Sequence, residues 1–235
     1  SNMADTMERK AEITHVIFDM DGLLLDTESI YTEITQRIAD KYGKVFDWEM
    51  KSKIMGRSPR DGAIMTIELL GLPITVEEYL EKAVALEYEC FPHCKPMPGA
   101  EKLAKHLHSH NIPFCVATGS KTWLYKVKTT NKENLFDLFS HYVCSDDPEL
   151  KNGKPAPDIF QLAASRFAQK PSSPSHVLVL EDAPNGVTAA RAANMNVIMV
   201  PDSRIDPSLC THASLCLKSL EEFDPTLWGL PPFTD

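Results

Sequence analysis

The sequence predicts an α/β fold, with a Rossmann-like parallel sheet as its core and an α-helical domain inserted after the first strand. Short runs that are apolar at every position alternate along the chain with amphipathic stretches, which is typical of parallel strands buried on both faces. One long region, from about 27 to 95, breaks this alternation and carries only helical patterns. The 235 residues, 43% of them hydrophobic, suffice for one sizeable core with such an insertion.

The predicted elements follow one another in a regular order. Five strands are predicted, at 15–18, 114–117, 142–144, 177–180 and 197–200. Helices are predicted between the later strands, at about 99–110, 121–131, 157–168 and 185–194. Three further helices, at 27–43, 60–71 and 75–90, make up the inserted domain.

These elements predict the domain boundaries. The core is expected to comprise 13–26 and 97–220, and the inserted domain 27–96, while 1–12 and 221–235 are expected to be flexible or peripheral termini. An insertion directly after the first strand is expected to act as a cap over the carboxyl edge of the sheet, because open α/β sheets bind their ligands there. The connections at 24–27 and 95–98 are expected to serve as its hinges.

Composition argues against several kinds of partner. The formal net charge of −9 disfavours nucleic acid or an anionic membrane surface. No apolar run approaches the roughly 20 residues that a membrane span needs. The six cysteines form no Cys-x-x-Cys pair, which is typical of reduced thiols. We therefore expect a cytoplasmic protein whose main partner is neither nucleic acid nor a membrane. We also expect a monomer or weak dimer.

Two acidic residues, Asp19 and Asp21, follow the first strand and precede a glycine. Because the chain begins to turn at the end of a strand, the two carboxylates can converge on one point. Two negative charges held that close destabilise each other unless a cation or a proton is present. The pair therefore indicates a divalent metal site or acid/base chemistry. The alternative is a strand that ends in solvated acids.

Three more polar groups are expected at the same edge of the sheet. Thr118-Gly119 follows the second strand and precedes a helix, an arrangement that can hold a phosphate group or serve only as a helix cap. Lys154 lies in a loop that a glycine and two prolines make rigid, although most loop lysines are simply solvated. Glu181-Asp182 ends an apolar strand. The two carboxylates can bind Mg²⁺, and the alternative is that these residues only begin a turn.

The order of these motifs resembles that of the haloacid dehalogenase superfamily of phosphotransferases. The resemblance runs from about 13 to 218, and the helical insertion is similar to that of the subfamily with an α-helical cap. Within this subfamily the motifs are most similar to those of the eukaryotic pseudouridine-5′-phosphatases, with Lys151-Asn152 before Gly153 as a minor departure. The four matching motifs are Asp19-Met20-Asp21-Gly22, Thr118, Lys154 and Glu181-Asp182.

The resemblance implies a role for each of these residues. It implies that Asp19 is a nucleophile that forms an aspartyl-phosphate, and that Asp21 is a general acid and then a general base. Thr118, the amide of Gly119, and Lys154 are implied to hold the oxygens of the phosphoryl group. The implied cofactor is Mg²⁺, held by Asp19, the backbone carbonyl of Asp21, and Asp182. Glu181 is implied either to bind the ion directly or to contact the groups that bind it.

The implied activity is a Mg²⁺-dependent phosphatase acting on a small phosphorylated metabolite, with pseudouridine 5′-phosphate as the first candidate. Glycerol 3-phosphate or a sugar phosphate is the alternative substrate, and a catalytically idle scaffold is the alternative function. A sugar-phosphate mutase is disfavoured, because such enzymes resemble this chain but carry a histidine where Tyr31 stands.

Arg57 lies in a glycine-containing loop of the predicted cap. It is a candidate for substrate recognition, and an ordinary surface arginine is the alternative.

Overall fold

The computed structural model describes residues 8–234, and these confirm the predicted α/β fold. Six parallel strands form one sheet in the order β3-β2-β1-β4-β5-β6. The strands are β1 (His15–Phe18), β2 (Phe114–Ala117), β3 (Tyr142–Val143), β4 (Val177–Glu181), β5 (Asn196–Met199) and β6 (Leu215–Cys216). The chain divides into two compact units, one comprising Asp26–Lys95 and the other the residues before and after it.

The first strand lies in the middle of the sheet. β1 pairs in parallel with β2 on one side, where Phe18 is opposite Val116, and with β4 on the other, where Phe18 is opposite Leu180. All the residues of these three strands are buried, as their apolar sequences predict. Since the strands are parallel, the segments that follow β1, β2 and β4 leave the sheet at the same edge.

Five helices accompany the strands of this unit. They are α5 (Ala100–Ser109), α6 (Thr122–Lys128), α7 (Glu133–Phe136), α8 (Asp158–Ser165) and α9 (Pro184–Ala192). Alanine and valine side chains of α9, and Ile159 and Phe160 of α8, pack in one buried cluster with β1, β2 and β4. The short helix α7 and the two-residue strand β6 were not predicted, because both are too short to show a periodic pattern.

The unit Asp26–Lys95 contains four helices where the sequence predicted three. The prediction of one helix over 27–43 is wrong at its end, because the helix stops at Asp40 and a separate helix follows. The side chain of Asp47 caps that second helix by accepting a hydrogen bond from Met50 N. The four helices are α1 (Thr27–Asp40), α2 (Trp48–Ile54), α3 (Pro59–Leu70) and α4 (Val76–Cys90).

The terminal segments differ from the prediction of flexible or peripheral ends. Trp228 is fully buried, and Phe223, Leu227 and Leu230 are buried with it. The backbone nitrogens of Lys10 and Ile13 donate hydrogen bonds to Leu227 O and Trp228 O, at 2.7 and 2.9 Å. Burial of these four large apolar side chains makes them part of the hydrophobic core. The predicted flexibility of residues 1–7 lies outside the described residues.

Candidate active site

Most of the predicted site residues lie at one edge of the sheet. Asp19 directly follows β1, Thr118 follows β2, and Glu181 is the last residue of β4. Lys154 lies in the loop between β3 and α8. The structure brings Asp19, Lys154 and Glu181 into contact, although the loop lysine is 135 residues from Asp19 along the chain.

The ammonium group of Lys154 has three hydrogen-bond acceptors. It donates to Oδ1 of Asp19 at 3.1 Å, to Oε1 of Glu181 at 2.5 Å and to the carbonyl oxygen of Ala117 at 3.2 Å. The acceptors come from the ends of β1, β2 and β4, so this one side chain joins three neighbouring strands. Its three donors therefore all have partners, as a mostly buried ammonium requires.

Negative charge is in excess around this lysine. Burial, reinforced by the charge of Asp19, raises the pKa of Glu181 above its ordinary value even though Lys154 opposes the rise. Burial lowers the pKa of Lys154, but the charges of Asp19 and Glu181 outweigh this effect and leave it above its ordinary value. The direction for Glu181 follows mainly from burial, and that for Lys154 follows because one ammonium group faces two carboxylates. A further positive charge is therefore favoured here.

Three carboxylates are close enough to hold a metal ion. One oxygen from each of Asp19, Glu181 and Asp182 lies within 4.8 Å of the other two. Hard divalent cations such as Mg²⁺ prefer carboxylate oxygens. The donor set and the excess negative charge both fit such an ion. The carboxylate of Asp21 is not part of this group.

Two glycines leave room for the acidic side chains. A β-carbon at Gly186, in α9, would overlap the carboxyl group of Glu181. A β-carbon at Gly22 would overlap the carboxylate of Asp182, and Gly22 also has a φ of +76°, which favours glycine. The positions of Glu181 and Asp182 therefore depend on glycines at these two sites.

We expect Gly186→Ala to destabilise the protein, because the added methyl group displaces a buried carboxyl group that is bonded to Lys154. Overpacking of this kind costs about 1–3 kcal/mol. Gly62→Ala is the matched control, since Gly62 also lies in a helix but its β-carbon would make an ordinary 3.4 Å contact with Ile54. Urea unfolding measures both variants, and equal stabilities for the two would contradict the expectation.

Asp21 has different partners from Asp19. Its Oδ1 accepts a hydrogen bond from Nζ of Lys128 at 2.6 Å, and its Oδ2 accepts one from Oγ of Ser120 at 3.0 Å. Oγ1 of Thr118 lies 3.4 Å from the same Oδ2 and accepts a hydrogen bond from Ser120 N. The two aspartates are thus paired with two different lysines, Lys154 and Lys128.

Sequence reasoning missed Ser120 and Lys128 as partners of Asp21. One signal was present for the lysine, because Lys128 lies four residues after Leu124 and three after Tyr125, on the apolar face of α6. A lysine at such a position needs a buried partner, and the nearby acidic motifs offered one. For Ser120 the sequence showed only a helix-start pattern.

The other two predicted residues, Gly119 and Arg57, are both exposed. Gly119 is exposed, and a β-carbon there would have nothing within 4 Å. Arg57 lies in the unit Asp26–Lys95, where its exposed side chain donates a hydrogen bond from Nε to Lys53 O at 2.8 Å. This bond satisfies a carbonyl group in the last turn of α2, a common role for an arginine after a helix.

In the described part of the chain, none of the helices combines the length and the apolar character needed to cross a membrane. All six cysteines lie in that part and are free thiols.

Comparison with known proteins adds three findings. The family model of haloacid dehalogenase-like hydrolases matches residues 13–194. The chain is 49% identical to (DL)-glycerol-3-phosphatase 1, mitochondrial, of Arabidopsis thaliana, over 96% of this chain and 76% of that protein. It is 47% identical to a probable pseudouridine-5′-phosphatase of Drosophila melanogaster, over 99% of this chain and 100% of that protein.

Solved structures include similar folds. The crystal structure of a putative β-phosphoglucomutase from Thermotoga maritima matches with a TM-score of 0.74 at 30% sequence identity. The match covers 89% of this chain and 96% of that one. The similarity thus extends over both the sheet and the helical insertion.

Proposed function

The chain belongs to the haloacid dehalogenase-like hydrolases, and on this basis we propose that it is a Mg²⁺-dependent phosphatase of a small phosphorylated metabolite. The observation that supports the proposal most is the position of Lys154, bonded to Asp19 and Glu181 in a group of carboxylates that fits a divalent cation. Phosphoryl transfer depends mainly on alignment and on stabilisation of negative charge, and this arrangement supplies positive charge beside a carboxylate nucleophile.

The proposed reaction has two steps. Asp19 attacks the phosphorus, the P–O bond of the ester breaks, and Asp21 gives its proton to the departing oxygen. A water molecule then attacks the aspartyl-phosphate and gives a proton to Asp21, and the bond between Asp19 and phosphorus breaks. Inorganic phosphate leaves, and both carboxyl groups return to their starting protonation states.

The surrounding residues are proposed to hold the phosphoryl oxygens. Lys154 supplies a fixed ammonium group beside Asp19, and Thr118 and the amide of Gly119 lie at the start of the neighbouring segment. Mg²⁺, held by Asp19, Asp182, the backbone carbonyl of Asp21 and Glu181, would neutralise negative charge on the phosphoryl group and the carboxylates. Its charge would reduce the repulsion between an anionic substrate and the carboxylate nucleophile.

Pseudouridine 5′-phosphate is our first candidate substrate, because a full-length relative at 47% identity carries that activity in its name. Glycerol 3-phosphate is the second candidate, because a relative at 49% identity is named for it. A mutase is disfavoured, since Tyr31 stands where the related mutases carry a histidine, and its ring packs edge-on against Phe91 with centroids 4.9 Å apart. Water is then the expected acceptor of the phosphoryl group.

We expect phosphate release from one of these substrates with Mg²⁺ present, and its loss when EDTA removes the ion, because the carboxylates then keep their excess charge. The panel comprises pseudouridine 5′-phosphate, uridine 5′-phosphate, glycerol 3-phosphate and several sugar phosphates. A clear preference for one compound identifies the substrate. Broad Mg²⁺-dependent activity contradicts the substrate assignment but supports the proposed mechanism. Activity that is unaffected by EDTA contradicts the proposed cofactor.

The unit Asp26–Lys95 is proposed to act as the cap, with Arg57 as a candidate for substrate recognition. If the cap closes on substrate, Mg²⁺ with a phosphate analogue protects the linkers near Asp26 and Pro96 from proteolysis. Unchanged cleavage there contradicts the cap proposal. We further propose a cytoplasmic monomer or weak dimer, on the basis of the free thiols and the acidic net charge.

A further inference from the structure

We infer that Lys128, together with Ser120, is a positioning residue that fixes the orientation of the Asp21 carboxylate. This inference rests on the proposed function, because it concerns the residue proposed as the general acid and base. It goes beyond that function because the four motifs that carry the family resemblance do not include Lys128.

The burial of Lys128 points to a specific role. Its side chain is 0% exposed, whereas the side chain of its partner Asp21 is 24% exposed. The ammonium group therefore lies behind the carboxylate, which keeps contact with solvent. A fully buried lysine is rare in proteins, and it requires a well-formed partner to offset the loss of hydration.

The hydrogen bonds form a closed triangle. Nζ of Lys128 donates to Oδ1 of Asp21 at 2.6 Å and to Oγ of Ser120 at 3.0 Å, and the serine hydroxyl in turn donates to Oδ2. Each oxygen of the carboxylate is thus held by a different donor. With both oxygens held, the carboxylate cannot rotate without breaking a hydrogen bond, so one orientation is favoured.

The two donors differ in what they can do when a proton moves. An ammonium group has no acceptor, so a protonated Oδ1 could not donate to Lys128. A hydroxyl group can both donate and accept, so Ser120 and Thr118 remain compatible with a proton on Oδ2. Oδ2 is therefore the oxygen whose protein partners can both donate and accept when a proton moves.

The two aspartates are held by lysines from different elements. Asp19 is held by Lys154 from the loop before α8, and Asp21 by Lys128 from the last turn of α6. Each carboxylate has its own positive partner, which reduces the repulsion that their spacing in the sequence predicts. Loss of Lys128 is therefore expected to affect the function of Asp21 while leaving the contacts of Asp19 in place.

The test compares two kinds of leaving group. An alkyl phosphate such as glycerol 3-phosphate or pseudouridine 5′-phosphate needs a proton on its departing oxygen, whereas p-nitrophenolate leaves readily without one. We expect Lys128→Met to lower kcat/KM, which reports on the step in which the leaving group departs, by about 10²-fold on the alkyl phosphates and by about tenfold or less on p-nitrophenyl phosphate. Lys126→Met, at an exposed lysine of the same helix, is the matched control.

A double-mutant cycle separates positioning from a general structural effect. In an Asp21→Asn background, Lys128→Met is expected to lower kcat/KM by less than about threefold, because the carboxylate that it orients is already gone. An equal loss of kcat/KM on both kinds of substrate, or a full additional loss in the Asp21→Asn background, overturns the inference. Wild-type rates in Lys128→Met overturn it as well.

Two further results keep the outcomes distinct. If circular dichroism shows that Lys128→Met is unfolded, Ser120→Ala replaces it, and an alkyl-to-aryl ratio of kcat/KM within threefold of wild type then overturns the inference. If wild-type protein with Mg²⁺ hydrolyses none of the three compounds, the proposed function itself fails. Failure of the inference alone leaves the wild type active.

Discussion

Asp19→Asn is expected to abolish turnover while leaving the fold intact. The substitution removes the proposed nucleophile but keeps the size of the side chain and an oxygen that can accept the hydrogen bond from Lys154. Loss of a nucleophile lowers kcat by about 10⁴-fold or more. Phosphate release measures the loss, and circular dichroism with thermal unfolding verifies the fold.

Asp47→Asn is the control for Asp19→Asn, because it makes the same chemical change at the N-cap of α2, where asparagine serves equally well. Retention of more than a few per cent of wild-type activity in Asp19→Asn would contradict the nucleophile role. Wild type and Asp19→Asn that are equally inert on every phosphoester would favour the idle scaffold.

Lys154→Met is expected to reduce both stability and activity. It leaves the carboxyl groups of Asp19 and Glu181 without the ammonium group between them, and Glu181 is only 1% exposed. Removing one partner of a buried ion pair costs about 3–5 kcal/mol in free energy of unfolding. The loss of positive charge beside the phosphoryl group is expected to lower kcat by about 10²-fold or more.

A second substitution separates the two effects of Lys154→Met. Adding Glu181→Gln removes one buried negative charge, so we expect the double variant to regain stability in urea unfolding with EDTA present but not to regain activity. Lys151→Met, at an exposed lysine of the same loop, is the control. A Lys154→Met protein as stable as this control would show that the buried bonds of Lys154 contribute little.

Part of the candidate site was predictable because its residues share a simple rule. Asp19, Thr118 and Glu181 each follow or end an apolar run, and the ends of neighbouring parallel strands meet at one edge of a sheet. The fold class followed from the same apolar runs. A polar residue at the end of each apolar run therefore carried most of the information.

The rest depended on tertiary contacts that no local pattern encodes. Lys128 reaches Asp21 across 107 residues of sequence, and the sequence predicted the helix that carries this lysine without its orientation. The pairing of Glu181 with Lys154 depends on the absence of a side chain at Gly186. Trp228 was read as part of a peripheral terminus, because its partners are distant in the sequence.

The central position of β1 has a consequence for how the protein forms. The aspartates leave the ribosome early, but their lysines follow 107 and 135 residues later, and β4, which pairs with β1, comes later still. Contacts between such distant segments carry a large entropic cost of loop closure and slow the folding of a chain. A nascent chain that ends before β4 lacks Glu181, Asp182 and the strand that pairs with one side of β1, so the candidate site cannot be complete until late in synthesis.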